Sequence, residues 1–524
     1  MKKGSVRKIQ LYDTTLRDGA QTEGISLSLA DKLEIARKLD HFGMDYIEGG
    51  WPGSNPKDIE FFKEIHRNPL KHSRVVAFGS TRRAHIKAEQ DPNLSALVDA
   101  KTKVVTIFGK SWDLHVTDVF KTSLKENLAM IRDSVAYLKS KKLEVIYDAE
   151  HFFDGFKSNR EYALSTIREA AKAGADMIVL CDTNGGGLPS EVKRAVQAAS
   201  GAVKVPIGIH CHNDMNLAVA NSLAAVEQGC VQIQGTINGY GERCGNTDLT
   251  SVAAVLEHKM KMPFASKIRM NELMKISHFV AEVCNMPLQF NQPFVGMSAF
   301  AHKAGVHVDA MVKNAKTYEP LDPALVGNQR KFLISELSGK TNILAKAKEF
   351  DVDLGKESPE MRNILHKIRE LENEGYQFEA AEASFELLVK KLTGKYHPYF
   401  DHLGFRVIDT KEEKEGVVSE ASVKIKVKGE VELTAAEGDG PVNALDKALR
   451  KALKRFYPVI AHIHLTDYKV RVVNSQAGTA AKVRVFIQFQ DEKKSWQTVG
   501  VSENIIEASW QALVDAVEYK LHKG

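Results

Sequence analysis

Two hydrophobic rhythms alternate through the first 260 residues. An amphipathic stretch with apolar positions three and four apart ends at Gly or another small residue. A short, almost continuous apolar run follows at once. The clearest copies are DHFGMDYIEGG, AAKAGADMIVLCDT and AVEQGCVQIQGT. The first rhythm is that of a surface helix and the second that of a strand buried on both faces. Eight strands are predicted: Ile9–Asp13, Tyr46–Gly49, Val75–Gly79, Val104–Phe108, Glu144–Ala149, Met177–Asp182, Ile207–His212 and Val231–Thr236. Eight strands alternating with helices predict a (β/α)8 TIM barrel, with an open doubly wound sheet as the alternative. The first helix shows why the helical segments are credible. Ser28 is placed as N-cap with Asp31 able to reach back to it. Leu29, Leu33, Ala36, Leu39 and Phe42 recur at helical spacing, and Gly43 is placed to end the helix.

The pattern changes twice after the barrel. From about Met262 to His397 it becomes helical, as in PEMRNILHKIRELENEG and FEAAEASFELLVKKL. Between these helices lie loop-rich segments that carry His302, His307 and SGKTN (338–342). From Phe405 onward alternating strands lead into the helix PVNALDKALRKALKRF. Three more strands then lead into IIEASWQALVDAVEYKL. This predicts two successive βββα-like units, duplicated in pattern and not in letters. The expected organisation is a barrel over 1–262, a helical middle region over 263–400 and an α+β C-terminal domain over 401–524.

Composition narrows the picture only a little. With 43% hydrophobic and 27% charged residues the chain reads as globular with a large core. A net charge of +5, from 72 basic and 67 acidic side chains, gives no reason to expect nucleic acid or an anionic membrane as partner. Five cysteines without a CxxC pair predict free thiols and a cytoplasmic location. Residues 1–10 are basic without an apolar signal-peptide core, and no stretch approaches the ~20 apolar residues that span a bilayer.

Chemistry-bearing residues collect where a barrel enzyme needs them, at the C-terminal ends of the strands. Strand one ends in Asp13 and runs into Arg17 and Asp18. Strand two ends at Glu48, strand five at Asp148 and Glu150, strand six at Asp182 and Thr183. Strand seven ends in His210-Cys211-His212, and Asn238, Glu242, Arg243 and Asn246 follow strand eight. Residues two apart on a strand share a face, so both imidazoles can face the barrel mouth. Two neutral imidazoles with a carboxylate from Asp18 and an amide oxygen from Asn246 make a site for Mg²⁺, Mn²⁺ or Zn²⁺. An HxH pair alone also occurs as a structural pair. Arg17 suits the stabilisation of negative charge developing on a keto oxygen, its bland alternative being a surface pair with Asp18.

DTTLRDGAQTEG (13–24), HCHND (210–214) and NGYGERCGN (238–246) together resemble the DRE-TIM metallolyase superfamily. Within it they resemble the Claisen-condensing synthases of 2-isopropylmalate, homocitrate and citramalate. EGGWPGSNPKD (48–58) favours the citramalate subgroup. The resemblance implies that Asp18, His210 and His212 ligate a divalent metal, with Asn246 completing or supporting the site. It implies that Arg17 polarises a 2-oxo acid, that Thr183 binds its carboxylate, and that Glu150 lies near the reacting carbons. HKAGVH resembles the family's middle-region motif, which places His307 in the catalytic histidine position and Tyr318 at the spacing of its partner. One departure concerns the acceptor pocket. Some citramalate synthases carry a tyrosine two residues before the strand-five glutamate, where this chain has Asp148. Tyr147 is adjacent but faces the other way by parity.

The implied reaction condenses acetyl-CoA with pyruvate and hydrolyses the thioester, giving citramalate and CoA. A 2-isopropylmalate synthase acting on 2-oxoisovalerate is the alternative. A lyase of the same superfamily would carry a Gly-Cys-Pro-type loop after strand eight, where this chain has Gly-Glu-Arg-Cys-Gly. A non-catalytic amino-acid-binding regulator would not need Arg17, Asp18, both histidines, Glu150 and His307. By resemblance the C-terminal domain is expected to form a homodimer and to bind isoleucine as feedback effector.

Overall fold

A computed structural model of the chain describes residues 7–334, 339–412, 416–474, 478, 480–492 and 494–524. Ser338 of the SGKTN segment and residues 1–6 lie outside these. The chain divides into two compact units. The first comprises Met1–Phe300 with Leu321–Gln329, and the second Ala301–Pro320 with Arg330–Gly524.

The first unit is a closed eight-stranded parallel barrel in sequence order. Its strands are β1 (Gln10–Asp13), β2 (Tyr46–Gly50), β3 (Arg74–Ser80), β4 (Val104–Lys110), β5 (Glu144–Glu150), β6 (Met177–Asp182), β7 (Ile207–Cys211) and β8 (Gln232–Gly235). β8 closes on β1 with Tyr12 opposite Gln234. Alternation splits each strand between two environments. Leu11, Ile47, Ala77, Val105, Val145 and Ile178 join the large core shared with the surrounding helices. One residue out of phase, Tyr12, Tyr46, Val76, Val104, Ile146 and Val179 form a separate buried cluster that fills the lumen. Continuing that second face toward the C-terminal mouth reaches Glu48, Phe78, Thr106, Phe108, Lys110, Asp148, Glu150, His210 and Gln234.

The helix Leu29–Phe42 begins as its sequence demands. The Asp31 N–H donates to Ser28 Oγ at 3.2 Å, and the Ser28 N–H donates to Asp31 Oδ2 at 2.8 Å. Gly43 ends it at φ 108°, and its N–H donates to the Leu39 carbonyl.

In the second unit, helices Lys340–Glu349, Pro359–Glu374 and Glu382–Leu392 carry their own buried cluster around Ile343, Met361, Ile364 and Phe385. Two short strands, β9 (Ala301–His302) and β10 (Lys331–Phe332), pair in parallel. The expected duplication follows. An antiparallel sheet of β11 (Asp401–Glu412), β12 (Gly416–Val427) and β13 (Glu430–Gly438) leads into the helix Pro441–Lys454. A second, of β14 (His464–Val472), β15 (Val483–Gln490) and β16 (Ser495–Ser502), leads into Ile505–Lys523. Val423, Ile425, Leu445 and Leu449 of the first half share one core with Val485, Ile487, Leu513 and Val517 of the second.

Gly43 carries a sharp stability prediction. A Cβ there would lie 2.4 Å from the Lys267 carbonyl oxygen, on a backbone at φ 108°. The expected cost of Gly43→Ala is about 1–3 kcal/mol, because both the left-handed backbone and the close approach oppose a side chain. A denaturant-unfolding midpoint shifted by that amount supports this reading; an unchanged midpoint contradicts it.

Candidate active site

The mouth of the barrel is built by parity and register. His210 lies on the lumen face of β7 and His212, one residue past the strand's end, continues that face, with the two ring centroids 5.2 Å apart. Asp18 arrives from the turn after β1, where the Arg17, Asp18 and Gly19 N–H groups all donate to the Thr14 carbonyl. Its Oδ2 lies 3.4 Å from His210 Nε2. One ligand atom from each of Asp18, His210 and His212 lies within 4.8 Å of the others, and all three residues are buried. Asn246 pairs its backbone with His212 across an antiparallel bridge. Gly245 before it takes φ 90°, and a Cβ there would meet the Gly239 carbonyl at 2.0 Å. That tight turn turns the buried Asn246 amide toward Asp18. Among the described residues neither amide atom has a hydrogen bond of good geometry, and His212 Nδ1 is equally without a partner.

The electrostatics of this cluster suit a cation. Burial by itself would raise the Asp18 carboxyl, but Arg17, His210 and His212 around it hold it down at about 2. Burial, then the neighbouring His210, press His212 down to about 3 against the pull of Asp18. Burial likewise lowers His210. The result is an ionised carboxylate beside two neutral imidazoles with lone pairs to give, the protonation state that metal binding requires. Of the unpartnered buried atoms, His212 Nδ1 and Asn246 Oδ1 carry lone pairs that a bound ion would satisfy. The residues present therefore fit a divalent metal.

A chain of polar groups lies behind this cluster. His210 Nδ1–H donates to Gln234 Oε1 at 3.0 Å, and Gln234 Nε2 donates to Asp148 Oδ1 at 3.2 Å. This fixes the tautomer that leaves His210 Nε2 facing Asp18. Burial, then Glu48, push Asp148 well above the usual carboxylate range. Glu48 is fully buried and accepts from Arg17 Nε and from the Tyr12 hydroxyl, both at 2.6 Å. The Arg17 guanidinium also lies over the Phe78 ring at 3.8 Å. Phe78, Phe108 and Trp51 make a three-ring wall with centroids 5.6–5.8 Å apart. Trp51 is held in it by its indole N–H, which donates to Asn93 Oδ1 at 2.7 Å.

The other sequence candidates fall as follows. Glu150 ends β5 at the same mouth and is paired with Lys110. Thr183 Oγ1 accepts from the His151 N–H at 2.9 Å, which leaves its own proton to donate. Tyr147 is fully buried in the outer core and Asp148 lies in the lumen, as parity requires. His307 and Tyr318 belong to the second unit. There they are exposed and packed against each other with ring centroids 4.3 Å apart. Sequence reasoning did not single out Gln234, Tyr12, Thr106, Phe108 or Lys110. Counting every second residue along each predicted strand places Tyr12, Thr106, Phe108 and Gln234 on the lumen face without showing what they meet, and Lys110 lies beyond the predicted end of its strand at Phe108.

The HMGL-like family model matches residues 8–280, that of the homocitrate synthase post-HMGL domain residues 294–376, and that of the LeuA allosteric (dimerisation) domain residues 379–521. The (R)-citramalate synthases of Geobacter sulfurreducens and Aquifex aeolicus are each 54% identical to this chain, over 98% of both chains. The chain belongs to the citramalate synthase family. The 2-isopropylmalate synthase of Methanocaldococcus jannaschii is more distant, at 33% identity over 98% of this chain and 95% of its own. Among solved structures, a hydroxymethylglutaryl-CoA lyase from Pseudomonas aeruginosa overlaps 54% of this chain and 95% of its own. Its TM-score is 0.46 at 20% identity. The three barrel motifs that resemble the DRE-TIM superfamily lie inside the span matched by the HMGL-like model.

The Gln234 link is open to direct measurement. Gln234→Leu removes the acceptor that orients His210 and is expected to weaken divalent-metal binding about 10–100-fold. Isothermal titration of the metal-stripped protein with Mn²⁺ reads this. Unchanged affinity would mean that packing alone orients His210.

Proposed function

We propose that this acyltransferase of the citramalate synthase family condenses acetyl-CoA with pyruvate and hydrolyses the thioester, releasing citramalate and CoA. The observation that carries the reading is Arg17, held by Glu48 over an aromatic wall, beside the cluster Asp18, His210 and His212. It is supported by five relatives named (R)-citramalate synthase at 47–54% identity, against 32–33% for two named as established or probable 2-isopropylmalate synthases.

In this reading Asp18, His210 and His212 would hold a divalent cation, Mg²⁺ or Mn²⁺ by the oxygen and imidazole character of the donors, which would supply Lewis-acid polarisation of the 2-oxo acid. Arg17 stabilises the charge that grows on the keto oxygen as the new bond forms. The Thr183 hydroxyl donates to the acceptor's carboxylate. Glu150 takes a proton from the acetyl methyl group, a role worth roughly 10²–10⁴-fold in rate. His307 and Tyr318 are the second unit's candidates for proton transfer. Trp51, Phe78 and Phe108 limit the acceptor's side chain to a methyl group. Each methylene admitted or refused by such a wall is worth about 1–3 kcal/mol.

The second unit is proposed as a homodimerising and regulatory domain that binds isoleucine. Its support is the LeuA allosteric (dimerisation) match and the sheet β11–β13, whose outer face exposes Val431 and Leu433 beside Lys424 and Lys426.

Three measurements test these statements. With acetyl-CoA and a thiol reagent for released CoA, pyruvate is expected to give a higher kcat/KM than 2-oxoisovalerate. Chelation is expected to abolish turnover and Mg²⁺ or Mn²⁺ to restore it. Preference for 2-oxoisovalerate would move the chain to the isopropylmalate branch. Isoleucine is expected to inhibit the intact protein with a coupling of roughly 1–3 kcal/mol between effector and substrate. Turnover indifferent to isoleucine would leave the second unit a dimerising role alone.

A further inference from the structure

Lys110 is the last residue of β4, and the β4–β5 register sets it directly opposite Glu150, the last residue of β5. Val104, Thr106, Phe108 and Lys110 share the lumen face of β4, as Ile146, Asp148 and Glu150 share that of β5. A lysine at this position is unusual on physical grounds. Its side chain is only 10% exposed, and a buried ammonium is costly unless paired. It is paired with Glu150 Oε2. Its Nζ lies 5.4 Å from the centre of the Phe108 ring and 5.6 Å from that of Phe120. The strand end that carries it is fixed, since its carbonyl accepts from Asn127 Nδ2 at 2.8 Å. An ammonium has three donors. Glu150 supplies the one oxygen partner found for them among the described residues.

The proposed condensation needs two cationic centres. One serves the keto oxygen of the acceptor. The other serves the thioester oxygen of the donor, which becomes negative when the methyl group loses its proton. Arg17 is committed to Glu48 and Asp18, at the acceptor side. We propose that Lys110 is a catalytic residue for the donor half of the reaction, its ammonium holding the thioester oxygen while Glu150 takes the α-proton. The methyl C–H bond breaks and its proton passes to a Glu150 oxygen. The electron pair left behind forms the enolate C=C bond, and the carbonyl π pair moves onto the oxygen that Lys110 holds. The enolate carbon then bonds to the acceptor's keto carbon and the thioester carbonyl re-forms. The keto π pair passes to its own oxygen beside Arg17; that oxygen takes up a proton from water, and the protonated Glu150 returns its proton to the hydroxide left behind. An acid and a base side by side on adjacent strands can act on the carbonyl oxygen and on the α-hydrogen of one acetyl group.

The inference rests on the proposed condensation, and the test separates the two. Lys110→Met and Lys110→Gln are compared with the unaltered full-length protein, loaded with Mn²⁺, for pyruvate-dependent release of CoA from acetyl-CoA. Metal content and thermal midpoint are followed alongside. Both variants are expected to lose about 10²–10³-fold in kcat, the size expected for removing a donor from a developing oxyanion. The pyruvate KM should stay within about 3-fold, the metal content should not change, and the loss should persist across the pH profile. Lys110→Arg, which keeps a cation beside Glu150, is expected to recover about 10-fold of the loss. Lys110→Gln keeps a hydrogen-bonding partner for Glu150 and decides the matter where Lys110→Met does not fold. A kcat within about 3-fold of the unaltered protein overturns the assignment. So does full recovery of rate at high pH, which would make Lys110 only the neighbour that keeps Glu150 ionised. Absence of pyruvate-dependent CoA release from the unaltered protein overturns the proposed condensation, and this inference with it.

Discussion

Charge buried in a closed barrel must find a partner, and that requirement organises the mouth of this one. Glu48 is completely buried and is met by the Arg17 guanidinium and the Tyr12 hydroxyl. Glu150 is met by Lys110. Asp148 has no ion pair among the described residues, and burial, then Glu48, push its carboxyl well above the ordinary range. Asp18 is the exception. Its carboxyl is held at about 2, yet it shares Arg17 with Glu48 and otherwise faces two imidazoles whose burial keeps them neutral. The carboxylates of Glu48, Asp18 and Glu150 stand against two fixed cations, Arg17 and Lys110. A divalent ion between Asp18, His210 and His212 would offset the remaining charge and satisfy the lone pairs of His212 Nδ1 and Asn246 Oδ1.

The same requirement explains why the residues behind the mouth are polar at all. An apolar lumen would pack as well, and the lower layer of Tyr46, Val76, Val104 and Ile146 does so. Above it, Gln234 and Asp148 spend buried polar groups on setting the tautomer of one histidine. Such groups are costly unless every one is hydrogen-bonded, and here each link has its partner. The Trp51–Phe78–Phe108 wall does the complementary work. It gives the Arg17 cation a ring face to rest on and closes the space beside it with rigid apolar surface.

Much of this was legible in the chain. The alternation of continuous apolar strands with amphipathic helices determines the barrel, and the strand limits read from sequence differ from the folded ones by a residue or two. His210 and His212 were readable because an HxH spacing on a strand is a statement about one face. Asp18 was readable because it sits just past a strand end. Gln234, Lys110 and Phe108 were not singled out. Each is an ordinary residue whose role comes from its register against a neighbouring strand, and register between parallel strands is set by tertiary packing. Gln234 lies opposite both Tyr12 and His210, a pairing that depends on barrel closure. The motif around His307 and Tyr318 was visible as a motif, and the two rings do pack on each other.

The central claim is that the mouth's unbalanced negative charge is the binding site of a divalent cation. Crystals grown with Mn²⁺, measured at a wavelength where manganese scatters anomalously, test it most directly. The account predicts one strong anomalous peak within bonding distance of the Asp18 carboxylate and of an imidazole nitrogen from each of His210 and His212. That peak should be absent in Asp18→Asn crystals grown in the same way. No peak among these three residues, or an undiminished peak in the Asp18→Asn protein, would contradict it.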